Sequence, residues 1–268
     1  MNYLKICDKI YLVGRGIWGG LSPMTAKFDC NIYLIDGGGE LALVDNGEAL
    51  NIVKLKRNIL AAGLDFKKIK KLIITHDHLD HTANTWLLKK ILKAKVYSGR
   101  GSFFFLKPDM YVKSGDTIKV GDISLKVYNT PGHTPDSLCL ETEINEKKVL
   151  FSGDTAIGDQ GENGKGVVGW YNTKWGSDKK KLLKSVKFLE KLDPDIMLPG
   201  HGIPHLTKRK CREALKNCKK RIADFGKYPE LESMLPHAFD RGGISRSFDL
   251  KGNKQLFIKV KIQREKKR

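Results

Sequence analysis

The segment Thr75-His76-Asp77-His78-Leu79-Asp80-His81 constrains this chain more than any other stretch. Three histidines and two aspartates fall within six residues, directly after the apolar run Leu72-Ile73-Ile74. A short apolar run bounded by polar residues reads as a buried strand. The polar cluster then stands at that strand's C-terminal end, where open α/β sheets gather ligands. Packing gives no reason to collect such residues there, because unpaired buried polar groups cost free energy that only a ligand or a network recovers. Imidazole nitrogens and carboxylate oxygens at this density suit zinc or a similar divalent ion. The His-x-His pair can clamp one ion, and the following Asp-His a second.

The rest of the chain is large enough to carry such a loop on a rigid scaffold. A chain of 268 residues buries a core without staples, and 40% hydrophobic residues is too high for a disordered chain. No apolar run approaches the roughly 18 residues of a membrane span. The start, MNYLKICDKIYLVGRG, lacks the features of a signal peptide, so no membrane partner is expected. Cys7, Cys30, Cys139, Cys211 and Cys218 are scattered, with no C-x-x-C pair. That pattern excludes a disulfide framework and a cysteine zinc knuckle, and it points to a reducing cytoplasm.

Alternation predicts strands at Ile10–Val13, Ile123–Tyr128, Leu138–Glu141 and Gln255–Ile262, and a hairpin over residues 31–45 turning at Gly37-Gly38-Gly39. Apolar runs add strands at Leu72–Ile74, Lys95–Ser98, Val149–Ser152 and Ile196–Leu198. Helical spacing predicts helices over residues 51–62, 83–93, 178–192 and 207–225. The first has Ile52, Leu55, Ile59 and Leu60 on its stripe. In the last, Cys211 and Cys218 share the apolar spacing of Ala214, Leu215 and Ile222, which makes them core residues. Strands and helices interleave through both halves, so the expectation is one α/β domain over residues 1–268. Its core spans about residues 8–205, and a basic helix-and-strand extension covers about 206–268.

Three later motifs each follow an apolar strand: Thr130-Pro131-Gly132-His133-Thr134-Pro135-Asp136-Ser137, then Ser152-Gly153-Asp154-Thr155, then Leu198-Pro199-Gly200-His201-Gly202. Singly each reads as a turn. With the histidine cluster, and with Asp45 in Leu43-Val44-Asp45-Asn46-Gly47, they form an ordered set. In that set the chain resembles the metallo-β-lactamase-fold hydrolases. The resemblance implies a four-layer αββα sandwich of two mixed β-sheets with the metals at one edge. It implies two divalent ions, zinc first, with iron or manganese as alternatives. His76, His78 and His133 would hold one ion; Asp80, His81 and His201 the other; Asp154 would bridge both. Asp80 would also orient a metal-bridging hydroxide as the catalytic carboxylate. Asp45 and Thr75 would stand behind the ligands and fix their geometry. With Asp154 present and no cysteine in a ligand motif, the chain looks closer to the glyoxalase II, lactonase and phosphodiesterase branches than to the β-lactam hydrolases.

The implied activity is hydrolysis of a small ester, thioester or lactone. Two alternatives share the ligands: a phosphodiesterase or nuclease, and a persulfide dioxygenase with one iron on His76, His133 and Asp154. The net charge of +19 suits an anionic small substrate, with nucleic acid as the second partner class. Of that charge, +12 falls in residues 204–268. Ser137 and Ser152 have no base spaced for a triad, so serine hydrolysis is not indicated. His205 and His237 fall outside the metal motifs, as surface or satisfied histidines. Trp18 with Leu21 and Met24, and Trp170, Tyr171 and Trp175 in the glycine-rich stretch 156–176, are candidates for an apolar pocket wall or lid. Nothing in the sequence fixes an oligomeric state.

Overall fold

A computed structural model describes residues 3–17, 22–48, 51–101, 107–158, 168–169, 171–173 and 176–223. Strands β1 (Leu4–Cys7), β2 (Ile10–Gly14), β3 (Ile32–Asp36) and β4 (Leu41–Val44) run as an antiparallel meander. Helix α1 (Ile52–Ala61) leads to β5 (Ile69–Ile73), which lies parallel to β4. Helices α2 (Leu79–Thr82) and α3 (Thr85–Leu92) lead to β6 (Lys95–Ser98), and β7 (Met110–Tyr111) adds a last parallel strand. The second sheet takes β8 (Thr117–Val120), β9 (Ile123–Asn129), β10 (Leu138–Ile144) and β11 (Lys147–Gly153) antiparallel. Helix α4 (Lys179–Leu192) then returns to β12 (Ile196–Pro199), parallel to β11, and α5 (Lys208–Ala223) follows.

Alternation within the strands builds the layers, because successive side chains point to opposite faces. Tyr33 and Ile35 of β3 and Ala42 and Val44 of β4 face the second sheet, while Ile32, Leu34, Leu41 and Leu43 face α1 and α3. Val149 and Phe151 of β11 and Ile196 and Leu198 of β12 face inward, while Leu150 and Met197 pack with α4 and α5. The Tyr33 and Phe151 rings meet edge to face at 5.6 Å across the two sheets. The result is α1/α3, sheet, sheet, α4/α5: the expected αββα sandwich with both sheets mixed. No helix among the described residues is long and apolar enough to cross a membrane.

Some elements differ from the sequence reading. Strands β1, β7 and β8 were not expected; each is two to four residues long and owes its pairing to a neighbour. The helix expected over residues 83–93 is present as α3, with Asn84 at the N-cap position and Lys93 at the C-cap, and the separate turn α2 before it was not expected. Strand β10 runs on to Ile144, since Thr142 and Glu143 pair with Val149 and Lys148 despite breaking the apolar run. Leu60 is exposed, not on the buried stripe of α1. Cys211 and Cys218 are fully buried between α5 and its neighbours, and all five cysteines are free. The strand expected at Gln255–Ile262, with His237, lies outside the described residues.

Candidate metal centre

The site forms where strand ends of both sheets meet. Asp45 leaves β4 with φ of 58°, a left-handed conformation that aspartate tolerates better than most residues. That turn aims its carboxylate at the loop after β5. It accepts the Thr75 backbone N–H at 2.8 Å, the Thr75 hydroxyl at 2.8 Å and His81 Nδ1–H at 2.8 Å. His81 is thereby fixed with Nε2 facing outward. The Thr75 oxygen, its proton given to Asp45, lies 3.1 Å from His76 Nδ1 and can accept its proton, leaving His76 Nε2 as a free donor atom.

The loop carrying His133 rests on the start of α4. Gly132, at φ of 139°, passes so close to Leu182 that a Cβ there would lie 2.2 Å from its backbone nitrogen. Asp178 N–H donates to the Gly132 carbonyl at 2.9 Å, and Ser177 Oγ to the His133 carbonyl at 2.6 Å. The loop carrying His201 is clamped from β3: Asn31 Nδ2 donates to the carbonyls of Pro199 and Gly202, both at 2.9 Å, and Tyr33 OH to Pro199 at 2.8 Å. Sequence reading missed Asn31, Tyr33 and Ser177. Asn31 was the one with a signal, a polar residue directly before a strand apolar on both faces.

These supports bring seven side chains together. His76 Nε2, His78 Nδ1 and His133 Nε2 lie 3.0, 3.1 and 3.2 Å from one another. His81 Nε2 and His201 Nε2 are 3.2 Å apart, and Asp80 Oδ2 is 3.0 Å from His201 Nε2 and 3.7 Å from His81 Nε2. Asp154 stands between the groups, with Oδ2 at 3.6 Å from both His133 Nε2 and His201 Nε2 and Oδ1 at 3.7 Å from His81 Nε2. Burial holds the His76 imidazole well below its usual pKa and pushes His78 down to about 4, so both are neutral at pH 7, the ligating form. Burial raises the Asp154 carboxyl, with His201 and His81 opposing it.

The donor set fits divalent metal. Three imidazole nitrogens about 3 Å apart approach the roughly 3.3 Å edge of a tetrahedron with ~2.05 Å bonds. Asp154 Oδ1 is buried with no hydrogen-bond partner among the described residues, an acceptor that an ion would satisfy. His76/His78/His133 and Asp80/His81/His201 each form a compact group able to hold an ion. Cys30, outside every motif, also lies beside Asp45 and His81, but burial pushes its thiol far above the usual range and keeps it neutral.

The other candidates separate. Tyr171 is half-buried against the core beside α4, its hydroxyl accepting Lys179 N–H at 3.1 Å. Met24 is in the inter-sheet core. Trp18, Leu21, Trp170 and Trp175 lie outside the described residues. The glycine-rich stretch does pass the site, since a Cβ on Gly169 would lie 3.4 Å from His133 Nδ1. His205 is buried and pairs with Met197 through backbone, so it is no surface residue.

The metallo-beta-lactamase superfamily model matches residues 26–201, more than half of the chain. The chain belongs to the metallo-beta-lactamase superfamily. With the site's residues in place it is a metal-dependent hydrolase. An uncharacterized protein of Aquifex aeolicus is 31% identical over 193 residues, covering 65% of this chain and 83% of that protein. A hydroxyacylglutathione hydrolase of Francisella tularensis subsp. tularensis is 37% identical over 163 residues; the match covers 59% of this chain and spans only 60% of the relative. Among solved structures, the class B3 di-zinc metallo-beta-lactamase LRA-12 from an Alaskan soil metagenome superposes with a TM-score of 0.65 at 19% identity, covering 84% of this chain and 94% of that one. That likeness concerns the fold alone.

Proposed function

We propose that this member of the superfamily is a dinuclear hydrolase of small esters, thioesters or lactones, with a thioester first among them. The observation that carries the two-metal part is Asp154, whose carboxylate lies at equal distance from one histidine of each group. His76, His78 and His133 would hold one ion, Asp80, His81 and His201 the other, and Asp154 both. Zinc is the first choice, in keeping with the nitrogen-rich donors and the di-zinc structural neighbour. Two ions held there would supply Lewis-acid polarisation of a carbonyl and a water of lowered pKa.

The chain's own residues do the rest. Asp80 keeps its side chain 35% exposed while the other carboxylate, Asp154, is buried, so Asp80 is the one that faces an incoming substrate. The histidines around it hold its carboxyl far below the usual range, against the effect of burial, so it stays an acceptor able to orient a proton. Asp45 and Thr75 keep His81 and His76 in single tautomers while this happens. The thioester choice follows the Francisella relative; the substrate of that relative is transferred here only as a proposal.

The test is a rate panel of glutathione thioesters, simple thioesters, lactones and phosphodiesters, run on chelated protein and again after zinc is restored. Zinc-dependent thioester cleavage well above the other classes is the expected result. Faster phosphodiester cleavage would replace the substrate reading, and oxygen uptake with persulfides would replace the reaction.

A further inference from the structure

Helices α1 and α3 each begin at an asparagine whose side chain does not cap it. Asn51 and Asn84 both have helical backbone angles, and neither side chain bonds its helix's first turn. Asparagine is among the strongest N-caps, so leaving that bond unmade gives up helix stability. Both residues are buried, so their amides must find partners elsewhere. They find each other. Asn84 Nδ2 faces three oxygens: Asn51 Oδ1 at 2.6 Å, the Asn46 carbonyl at 3.0 Å and the Glu48 carbonyl. A donor alone can sit there. Asn51 Nδ2 in turn donates to Asp29 Oδ2 at 2.6 Å, and the buried Asp29 also accepts the backbone N–H of Glu48 and of Ala26.

This polar chain reaches the second metal group beside each of its three ligands, which lie on two loops. Asn46 N–H donates to the His81 carbonyl at 2.9 Å. Cys30, next to Asp29, donates to the Asp80 carbonyl at 3.3 Å. Asn31 N–H donates to the Gly200 carbonyl at 2.6 Å, beside His201. The first group is supported from elsewhere, His76 by Thr75 and His133 by Ser177.

We propose that Asp29, Asn51 and Asn84 form a strut that sets the geometry of the second metal group, with Asn84 as a positioning residue for Asp80, His81 and His201. The inference rests on the two-metal reading above. It explains why two helix starts give up their caps: the amides are committed to holding the two ligand loops in register. The consequence is selective. Loss of the strut loosens one ion and leaves the other.

Zinc titration of the full chain against a chromophoric chelator tests this. His78→Ala and His201→Ala assign the two binding steps, each by removing one group. Asn84→Asp keeps the shape but turns a donor into an acceptor facing three oxygens. It should weaken the step assigned to the second group about 10–100-fold, as support behind ligands generally does, and leave the first within about twofold. Asn51→Ala, which trims the link without adding charge, should act in the same direction should Asn84→Asp fail to fold. Ser177→Ala should weaken the first step instead. Equal weakening of both steps, or no change in a folded variant, overturns the strut. Uptake of fewer than two zinc ions by the unaltered chain overturns the two-metal reading itself, and the strut with it.

Discussion

Asp154 carries the two-ion reading, because its carboxylate lies against histidines of both groups. Replacing it with asparagine keeps the volume and removes the charge that two cations would share. Asp154→Asn should lower kcat/KM by about a hundredfold or more, a loss beyond that of residues behind the ligands, and reduce bound metal below two per chain; both are read by steady-state rates and elemental analysis. Gly200 is the second sensitive position. A Cβ there would stand 2.2 Å from Asp154 Oδ1 and 2.8 Å from His81 Cε1. Gly200→Ala should therefore release metal in a chelator competition while the far-UV circular dichroism stays native. Four of the seven ligands share one loop and were legible there as a metal-type cluster, while His133, Asp154 and His201, each after an apolar strand, followed from the resemblance. Their supports were not legible. Asn31 holds the Pro199 carbonyl from 168 residues away, and no local pattern marks such a pair. Asn84 was hidden for a different reason: an asparagine near a helix start reads as a cap, and here that reading is wrong.

Helix α4 does for His133 what β3 does for His201. Its N-cap Asp178 accepts Lys181 N–H at 3.0 Å, the ordinary capping bond, while its own N–H holds Gly132. Leu182, one turn on, is buried and presses on Gly132. Leu182→Ala should cost about 2–5 kcal/mol in urea denaturation, and should also weaken the metal step assigned to His133. An equally buried leucine far from the loop, Leu189, should cost a similar amount of stability with no effect on metal. The long helices and the apolar strands were visible in sequence because their periodicity runs over enough residues to register. Strands β7 and β8 were not, because two- and four-residue strands depend on the neighbour they pair with.

The core between the two sheets is built of hydrophobic side chains, and the polar ligands are gathered at the ends of their strands. Such a rim should be the part of the molecule most sensitive to metal. With ions at a hundredfold excess over their dissociation constant, binding adds about 2.7 kcal/mol per site. Chelation should therefore lower the melting temperature by about 5–10 °C per ion removed, and restored zinc should recover it in calorimetry. The layer order and the edge location of the site followed from the resemblance and not from periodicity, which gave only strands and helices. The central claim is that this rim holds two ions. Elemental analysis of protein purified without added metal, normalised to chain concentration, tests it most directly. The account predicts about two zinc ions per chain, lost together with activity on chelation. About one iron per chain, or activity that survives complete removal of metal, would contradict it.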